Sequence, residues 1–495
     1  MDPPSHRSPA LHPAEWALAL VVSLAALWVL RPCGLRVPFW WDAGAVYAPG
    51  ARWLLDHGLA SARPGVFPSD LSRGHTHLFY VLTALAFRAL GPGPVAGHGL
   101  VLAFAALALT WTYALGARLF HRPAGLAGAA LLAASPLFLT MASETLPEVP
   151  LTALTLASVY AFARGRAVES ALWGCALVLL KETGVACPLA IAGALALRAG
   201  LTRDLRGHVR EFALALAPVA VLAAFFLWQR AAEGWFVLPY HAALFHERHA
   251  LGGQFVRVAR SMVAADGRGW AVLAAALAAL SRWLHREGVF ATPAPAGTDR
   301  RTVVTALGLL ALANLVFFTK MFFLERYALP AHPGITLVVA GVLVPGALPV
   351  GLGRRVRTVL PVAVLALACA VGVARRRVPV GYASGEITFG YLDAVQAHQA
   401  VLRRLDTRSP SPVVLTSWPM TDELRAPWLG WVRRPYRAID WDWYELHARS
   451  IPVDAVLAYD AVGSWRHLRD EAARLGMHPA DRETVGGATV VLWVR

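Results

Sequence analysis

Phe39-Trp40-Trp41-Asp42-Ala43-Gly44-Ala45-Val46-Tyr47 sets one carboxylate beside two tryptophans and a tyrosine, just past the first long apolar run. Trp and Tyr favour the membrane–water boundary, where a ring meets lipid and its polar edge meets water. Asp42 therefore reads as an acid held at the membrane surface beyond a spanning helix. The alternative is that it merely caps the helix that follows. From Asp42 to Leu55, the positions Val46, Tyr47, Gly50, Trp53 and Leu54 recur at spacings of three and four. That pattern predicts an amphipathic helix lying on the membrane. Pro49 falls near its first turn and Gly58 can end it.

Working outward, the chain has 495 residues, of which 57% are hydrophobic and 16% charged. Soluble domains run near about 25% charged, and mean hydropathy here is +0.50. Apolar runs long enough to cross a bilayer core of about 30 Å recur along the first three-quarters of the sequence. Composition thus predicts an all-α polytopic membrane protein. The first run, 16–30, has no small-residue cleavage site after it and is expected to be a retained helix. Cys33, Cys175, Cys187 and Cys369 lie in or beside apolar runs and imply no disulfide framework. The net charge of +15 is mostly Arg on loops, a topology signal rather than a nucleic-acid footprint. Only Lys181 and Lys320 break the use of Arg. A compact ammonium differs from a guanidinium, so both positions bear watching.

Spans are expected at 14–31, 97–118, 123–141, 149–163, 168–181, 184–198, 211–229, 268–284, 303–320, 327–346 and 357–374, about eleven crossings. The arginine-rich loops 118–122, 164–166, 198–210, 282–301 and 354–357 are assigned to the inside. The loops 142–148, 182–183, 230–266 and 321–326 then fall outside. Asp42 joins them only if 76–90 lies along the outer face as a juxtamembrane helix. The transmembrane domain is expected over 1–377, with an external first loop at 32–96 and a long external loop at 230–266. Tyr240, His241, His246, Glu247, Arg248 and His249 in that long loop are read as substrate-covering. From 378 to 495 charges become frequent, which predicts a soluble α/β domain on the outer side. Its expected parts are a helix at 392–405, strands at 412–417 and 455–459, a helix at 464–475, and a hairpin about Gly486-Gly487. It carries no phosphate-binding glycine motif.

The external loops collect the unusual polar residues, which implies a polar cavity at the outer interface. Their order is also informative. It runs Asp42; Gly74-His75-Thr76-His77-Leu78-Phe79-Tyr80; Leu115-Gly116-Ala117-Arg118-Leu119-Phe120; Ala134-Ser135-Pro136-Leu137-Phe138-Leu139; Glu148-Val149-Pro150-Leu151; Leu179-Leu180-Lys181-Glu182; and Arg326-Tyr327-Ala328-Leu329-Pro330-Ala331-His332-Pro333. Over roughly 36–346 this resembles the C-superfamily (GT-C) membrane glycosyltransferases, and most of all the protein O-mannosyltransferase and lipid A aminoarabinose transferase group. The resemblance implies an inverting transfer of a sugar from a polyprenyl-phosphate donor, on the outer face, to a lipid, glycan or protein acceptor. Departures are plain: Ala43 stands where the family has Glu, His75-Thr76-His77 lacks both prolines of a His-Pro-Pro motif, and His98 stands where relatives often carry Arg.

The resulting assignments are these. Asp42 is the general base, ionised at neutral pH. Lys181 and Arg326, with Tyr327 and His98 beside them, are the phosphate and donor site. Glu148, matching the family's second acid, orients the acceptor, holds a cation or only faces a helix dipole, and Glu182 is grouped with it as an acceptor-side or second acid. Tyr47, His75 and His77 line the juxtamembrane substrate loop. Glu144 is expected to be solvated and Lys320 to snorkel. No cofactor and no metal site is assigned, since two histidines at i, i+2 are a poor ligand pair. The expected setting is a bacterial inner membrane, with the N-terminus cytoplasmic and the C-terminal domain periplasmic. Two rivals remain: a catalytically inactive scaffold, for which Ala43 argues, and a lipid or sugar transporter. The latter calls for an internal repeat and ionisable groups at helix centres, and neither is found.

Overall fold

The computed structural model describes residues 11–244, 251–284, 298–344, 354–378, 386–407 and 412–495. His246, Glu247, Arg248 and His249 therefore lie outside the described residues. The chain is a multi-helical membrane protein with a small C-terminal sheet. Among the described residues, six helical segments are long and apolar enough to cross a membrane: Pro13–Leu30, Pro94–Leu119, Glu182–Thr202, Arg206–Glu233, Leu251–Trp283 and Arg300–Lys320. Shorter apolar helices are Leu78–Leu90, Glu148–Ala163, Ala167–Leu180 and Val359–Arg375.

The helices that matter here are α1 (Pro13–Leu30), α2 (Ala48–His57), α3 (Leu78–Leu90), α4 (Pro94–Leu119), α5 (Arg122–Ala133), α6 (Glu148–Ala163), α7 (Ala167–Leu180), α8 (Arg300–Lys320), α9 (His332–Leu343) and α10 (Arg354–Arg375). Small residues let the bundle close. A Cβ on Gly116 of α4 would sit 2.5 Å from the Cα of Gly125 on α5, so the two backbones touch, as membrane helices do through small residues.

The bundle has two chemically distinct ends. At one end Glu15 bonds Arg122 at 2.7 Å and Tyr113 at 2.5 Å, Arg118 donates to the Ala163 carbonyl, and Thr298 donates to the Phe162 carbonyl. This is the arginine-rich end. At the other end Arg31 donates to Ser143, His75 meets Glu182, Gly65 donates to Glu233, and Arg257 pairs with Glu325. The loops grouped on one side by charge therefore do gather at one end. Helix α3 packs through His77 at its start on Phe67 and Phe225, and through Phe87 near its finish on Trp428.

Two segments differ from expectation. The stretch treated as one external loop over 230–266 contains a helix, Leu251–Ala259. Gln254 on it donates to the carbonyls of Phe318 and Met321 at the end of α8. The expected span at 327–346 opens with a 3₁₀ turn, Glu325–Ala331, before α9 begins, and 345–346 lie outside the described residues. Pro330 has no N–H to give an α-helix, which favours that looser start.

The C-terminal part is α/β. Helix α11 (Tyr391–Asp406) covers a five-stranded sheet of β1 (Val413–Thr416), β2 (Arg437–Asp440), β3 (Ala455–Tyr459), β4 (His478–Val485) and β5 (Ala488–Val494). The spatial order is β2-β1-β3-β5-β4. Strand β1 runs parallel to β2 and β3, while β5 runs antiparallel to β3 and β4. Val485 faces Ala488 across the Gly486-Gly487 turn, the hairpin that the glycine pair predicts.

The first loop is clamped between bundle and sheet. Phe39 N–H donates to the Leu429 carbonyl at 3.0 Å, and Trp431 Nε1 donates to the Phe39 carbonyl at 2.9 Å. Trp40 is fully buried against Tyr391, His398, Trp431 and Tyr459. So the tryptophans next to Asp42 anchor to protein, where the sequence pattern pointed to lipid.

Candidate active site

The site starts from the backbone around Asp42. Trp41 has φ of +48°, in the left-handed region that non-glycine residues rarely enter. Ala43–Tyr47 then forms a π-helical turn before α2. Strained backbone and π turns both concentrate at functional sites. Gly44 permits the turn: a Cβ there would lie 2.9 Å from the Phe39 carbonyl oxygen. Asp42 makes no capping bond to this helix. Its carboxylate accepts instead from the Arg326 guanidinium.

Arg326 is the centre of the cluster. One terminal nitrogen donates to Asp42 and the other to Glu386, and its Nε lies 3.7 Å from Glu148 Oε1. Lys181 donates to the same Glu148 oxygen at 2.7 Å. Tyr327 lies beneath both cations, its ring centroid 4.6 Å from Lys181 Nζ and 5.6 Å from the Arg326 carbon. Both cations lie within the range of a cation–π contact with this one ring. The side chains of Lys181, Glu148, Arg326 and Glu386 are 7%, 2%, 4% and 3% exposed, while Asp42 keeps 27%. Asp42, the residue read from the sequence as the base, is thus the most exposed member of the cluster. Burial alone would lower the affinity of Arg326 for its proton, and the nearby Asp42 and Glu148 carboxylates reverse that and raise it.

A second group lies alongside. His75 Nδ1 meets Glu182 Oε1 at 3.0 Å, and Tyr47 stacks on the His75 ring at 6.3 Å. His241 packs 5.3 Å from His75 and is pushed down to about 4 by burial, with the His75 charge adding to it. Of the sequence-assigned residues, then, Asp42, Lys181, Arg326, Tyr327 and Glu148 converge, with Glu182, His75 and Tyr47 forming a neighbouring set.

Three placements differ. His98 does not join the cations. Its ring is fully buried, Nε2–H donates to the Val37 carbonyl at 3.0 Å, and Nδ1 accepts from the Thr145 hydroxyl at 3.0 Å. Both nitrogens are used, so it ties α4 to the first loop and has none left for a phosphate. His77 turns away from His75 into Phe67 and Phe225, and burial pushes it down to about 4. Glu144 is fully buried, where solvation was expected. It lies beside Tyr391, and burial pushes it up to about 8. Lys320 is exposed at the end of α8. Glu386 is the residue that sequence reasoning missed: it sits in no motif, and 60 positions separate it from Arg326. Among the described residues no cluster of three or more His, Cys, Asp or Glu has the makings of a metal site.

No protein-family model matches the sequence, and no curated protein matches it. Solved structures do. ArnT from Cupriavidus metallidurans bound to undecaprenyl phosphate is similar at a TM-score of 0.59 and 14% identity, covering 97% of this chain and 98% of that one. The apo state of the same protein gives 0.57 and 14%, covering 96% and 97%. The oligosaccharyltransferase AglB from Archaeoglobus fulgidus, in complex with an inhibitory peptide and a dolichol-phosphate, gives 0.51 and 11%, covering 90% of this chain and 69% of that one. The fold is therefore the GT-C fold that the ordered motifs resemble, and it extends through the C-terminal sheet.

Proposed function

We propose that the chain is an inverting glycosyltransferase that moves a sugar from a polyprenyl-phosphate donor to a lipid, glycan or protein acceptor at the outer face of the membrane. The observation that carries this is the convergence of a partly exposed carboxylate, Asp42, with two buried cations, Lys181 and Arg326, at the end of the bundle away from the arginine-rich loops. Two of the similar solved structures supply context: one is bound to undecaprenyl phosphate and the other is in complex with a dolichol-phosphate.

The chemistry follows from the charges. Asp42 takes the proton of the acceptor hydroxyl as its oxygen attacks the anomeric carbon. The bond from that carbon to the phosphate oxygen breaks, and the electron pair leaves on the polyprenyl phosphate. Attack opposite the leaving group inverts the centre. Lys181 and Arg326 stabilise the charge that grows on the phosphate, in a site where water is excluded and such charges count for more. Glu148 holds Lys181 and, with Glu182, faces the acceptor side.

The test compares lipid extracts of a deletion strain, the strain restored with the wild-type chain, and one restored with Asp42→Asn. A general base contributes about 10²–10⁴-fold. The deletion and Asp42→Asn strains should both accumulate the same polyprenyl-phosphate sugar, read by mass spectrometry. Wild-type behaviour of Asp42→Asn at normal protein level sinks the assignment and brings the scaffold and transporter readings forward.

A further inference from the structure

The buried cluster is overfilled with negative charge. Three carboxylates, Asp42, Glu148 and Glu386, surround two cations, Lys181 and Arg326. An anionic donor must enter a site that is already net negative. It is also incompletely paired: Arg326 Nε, Glu148 Oε2 and Glu386 Oε1 are buried without a hydrogen-bond partner. A half-satisfied polar network in a low dielectric is costly and favours rearrangement.

The three carboxylates are not held alike. Asp42 is fixed by the π turn and the clamped first loop. Glu148 is bonded to Lys181 and starts a helix that is buried along its whole length. Glu386 comes from the C-terminal side, five residues before α11 begins at Tyr391. Just after it, Phe389 N–H donates to the Arg376 carbonyl at 2.7 Å and Thr388 Oγ1 donates to the Val378 carbonyl at 2.6 Å. A carboxylate and a phosphate present similar acceptor oxygens to a guanidinium.

We propose that Glu386 is the resident ligand of Arg326 and that the donor phosphate takes its place. This rests on the polyprenyl-phosphate reading above and adds a residue and a step to it. With the site empty, Glu386 keeps the guanidinium oriented and neutralised. When the lipid phosphate arrives it takes the Arg326 nitrogen that Glu386 held, and the freed segment 386–389 reports a loaded site to the C-terminal sheet. Glu386 is a positioning residue, since it acts through Arg326.

The experiment titrates the purified full-length chain in detergent with undecaprenyl phosphate, following tryptophan fluorescence. Glu386→Gln removes the competing charge and keeps the shape. It should bind about tenfold more tightly or better, Glu386→Asp should stay near wild type, and the gain should vanish when Arg326→Gln is added. Equal or weaker binding by Glu386→Gln, with wild type binding, overturns the exchange and leaves the lipid-phosphate reading standing. Binding by neither overturns both. Should Glu386→Gln fail to fold, hydrogen exchange on the wild-type chain decides. Undecaprenyl phosphate must speed amide exchange over 386–389, and unchanged exchange there overturns the proposal.

Discussion

Lys181→Met isolates what the buried ion pair does for the fold from what it does for chemistry. Lys181 and Glu148 meet at 2.7 Å with side chains 7% and 2% exposed, so removing the ammonium strands a carboxylate in the interior. Breaking a buried pair in this way costs about 3–5 kcal/mol. Arg326 Nε, 3.7 Å from the same oxygen, retains part of the attraction, which puts the expected loss near the bottom of that range. Replacing both partners is a different perturbation. Lys181→Met with Glu148→Gln leaves no uncompensated charge, and such replacements are neutral or stabilising. Thermal unfolding in detergent should thus rank Lys181→Met well below wild type and the double variant close to wild type. Sugar transfer should not follow that ranking. The recovered double variant still lacks the cation that faces the leaving phosphate, and loss of one such group costs about 10²–10³-fold in turnover. The reasoning is refuted if Lys181→Met melts within about a degree of wild type, or if the double variant is no more stable than the single. Recovery of turnover together with stability would show Lys181 to be a structural cation only.

Two further outcomes follow from burial. Glu144 has a folded-state value near 8 against an ordinary 4.5, so its contribution to stability is complete below about pH 4.5 and is lost as pH rises toward 8, at up to about 1.36 kcal/mol per pH unit. Glu144→Gln cannot ionise, so it should match wild type near pH 5, melt higher near pH 8, and flatten the profile between; parallel melting curves for the two across that window reject the assignment. Trp40→Ala removes a fully buried ring from among Tyr391, His398, Trp431 and Tyr459. It should cost about 3–5 kcal/mol and speed protease cleavage between bundle and sheet; unchanged cleavage would mean that the other clamp contacts suffice.

The parts of this structure that were legible in the sequence are those written in local patterns. Hydropathy marks the bundle, and the arginine loops mark one end of it. Glycine pairs and apolar alternation mark the β4–β5 hairpin. The parts that escaped depend on chain-distant geometry. Arg326 and Asp42 pair across 284 positions, and only ordered motifs suggested that they meet. Glu386 has no motif, so nothing linked it to Arg326. Strand β2 is four residues with Arg437 and Asp440 at its ends, too short and too charged to show alternation. His98 sits at the position the resemblance indicates, yet which way a ring faces is decided by Val37 and Thr145, a matter of packing that position alone does not encode.

Ala43 is the strongest argument for an inactive scaffold, and the structure changes its weight. Ala43 is fully buried, so a longer acid at that position would have no solvent to enter and would crowd the packed first loop. Yet the neighbourhood of Arg326 is not short of acids, because Glu386 brings a third carboxylate from the C-terminal side. Energetics then separates the two readings. A cluster of five buried or half-buried charges is poor stabilisation, since well-packed apolar residues in its place are as stable or more so. A chain that needed only the fold would be free to trade these charges for leucine and methionine. This one keeps two cations against one tyrosine ring, leaves three polar atoms unpaired around them, and leaves a single carboxylate of the five charges partly exposed. That arrangement is costly for a scaffold and fits the proposed transfer, in which the donor phosphate accepts from Arg326 and the acceptor hydroxyl donates to a carboxylate.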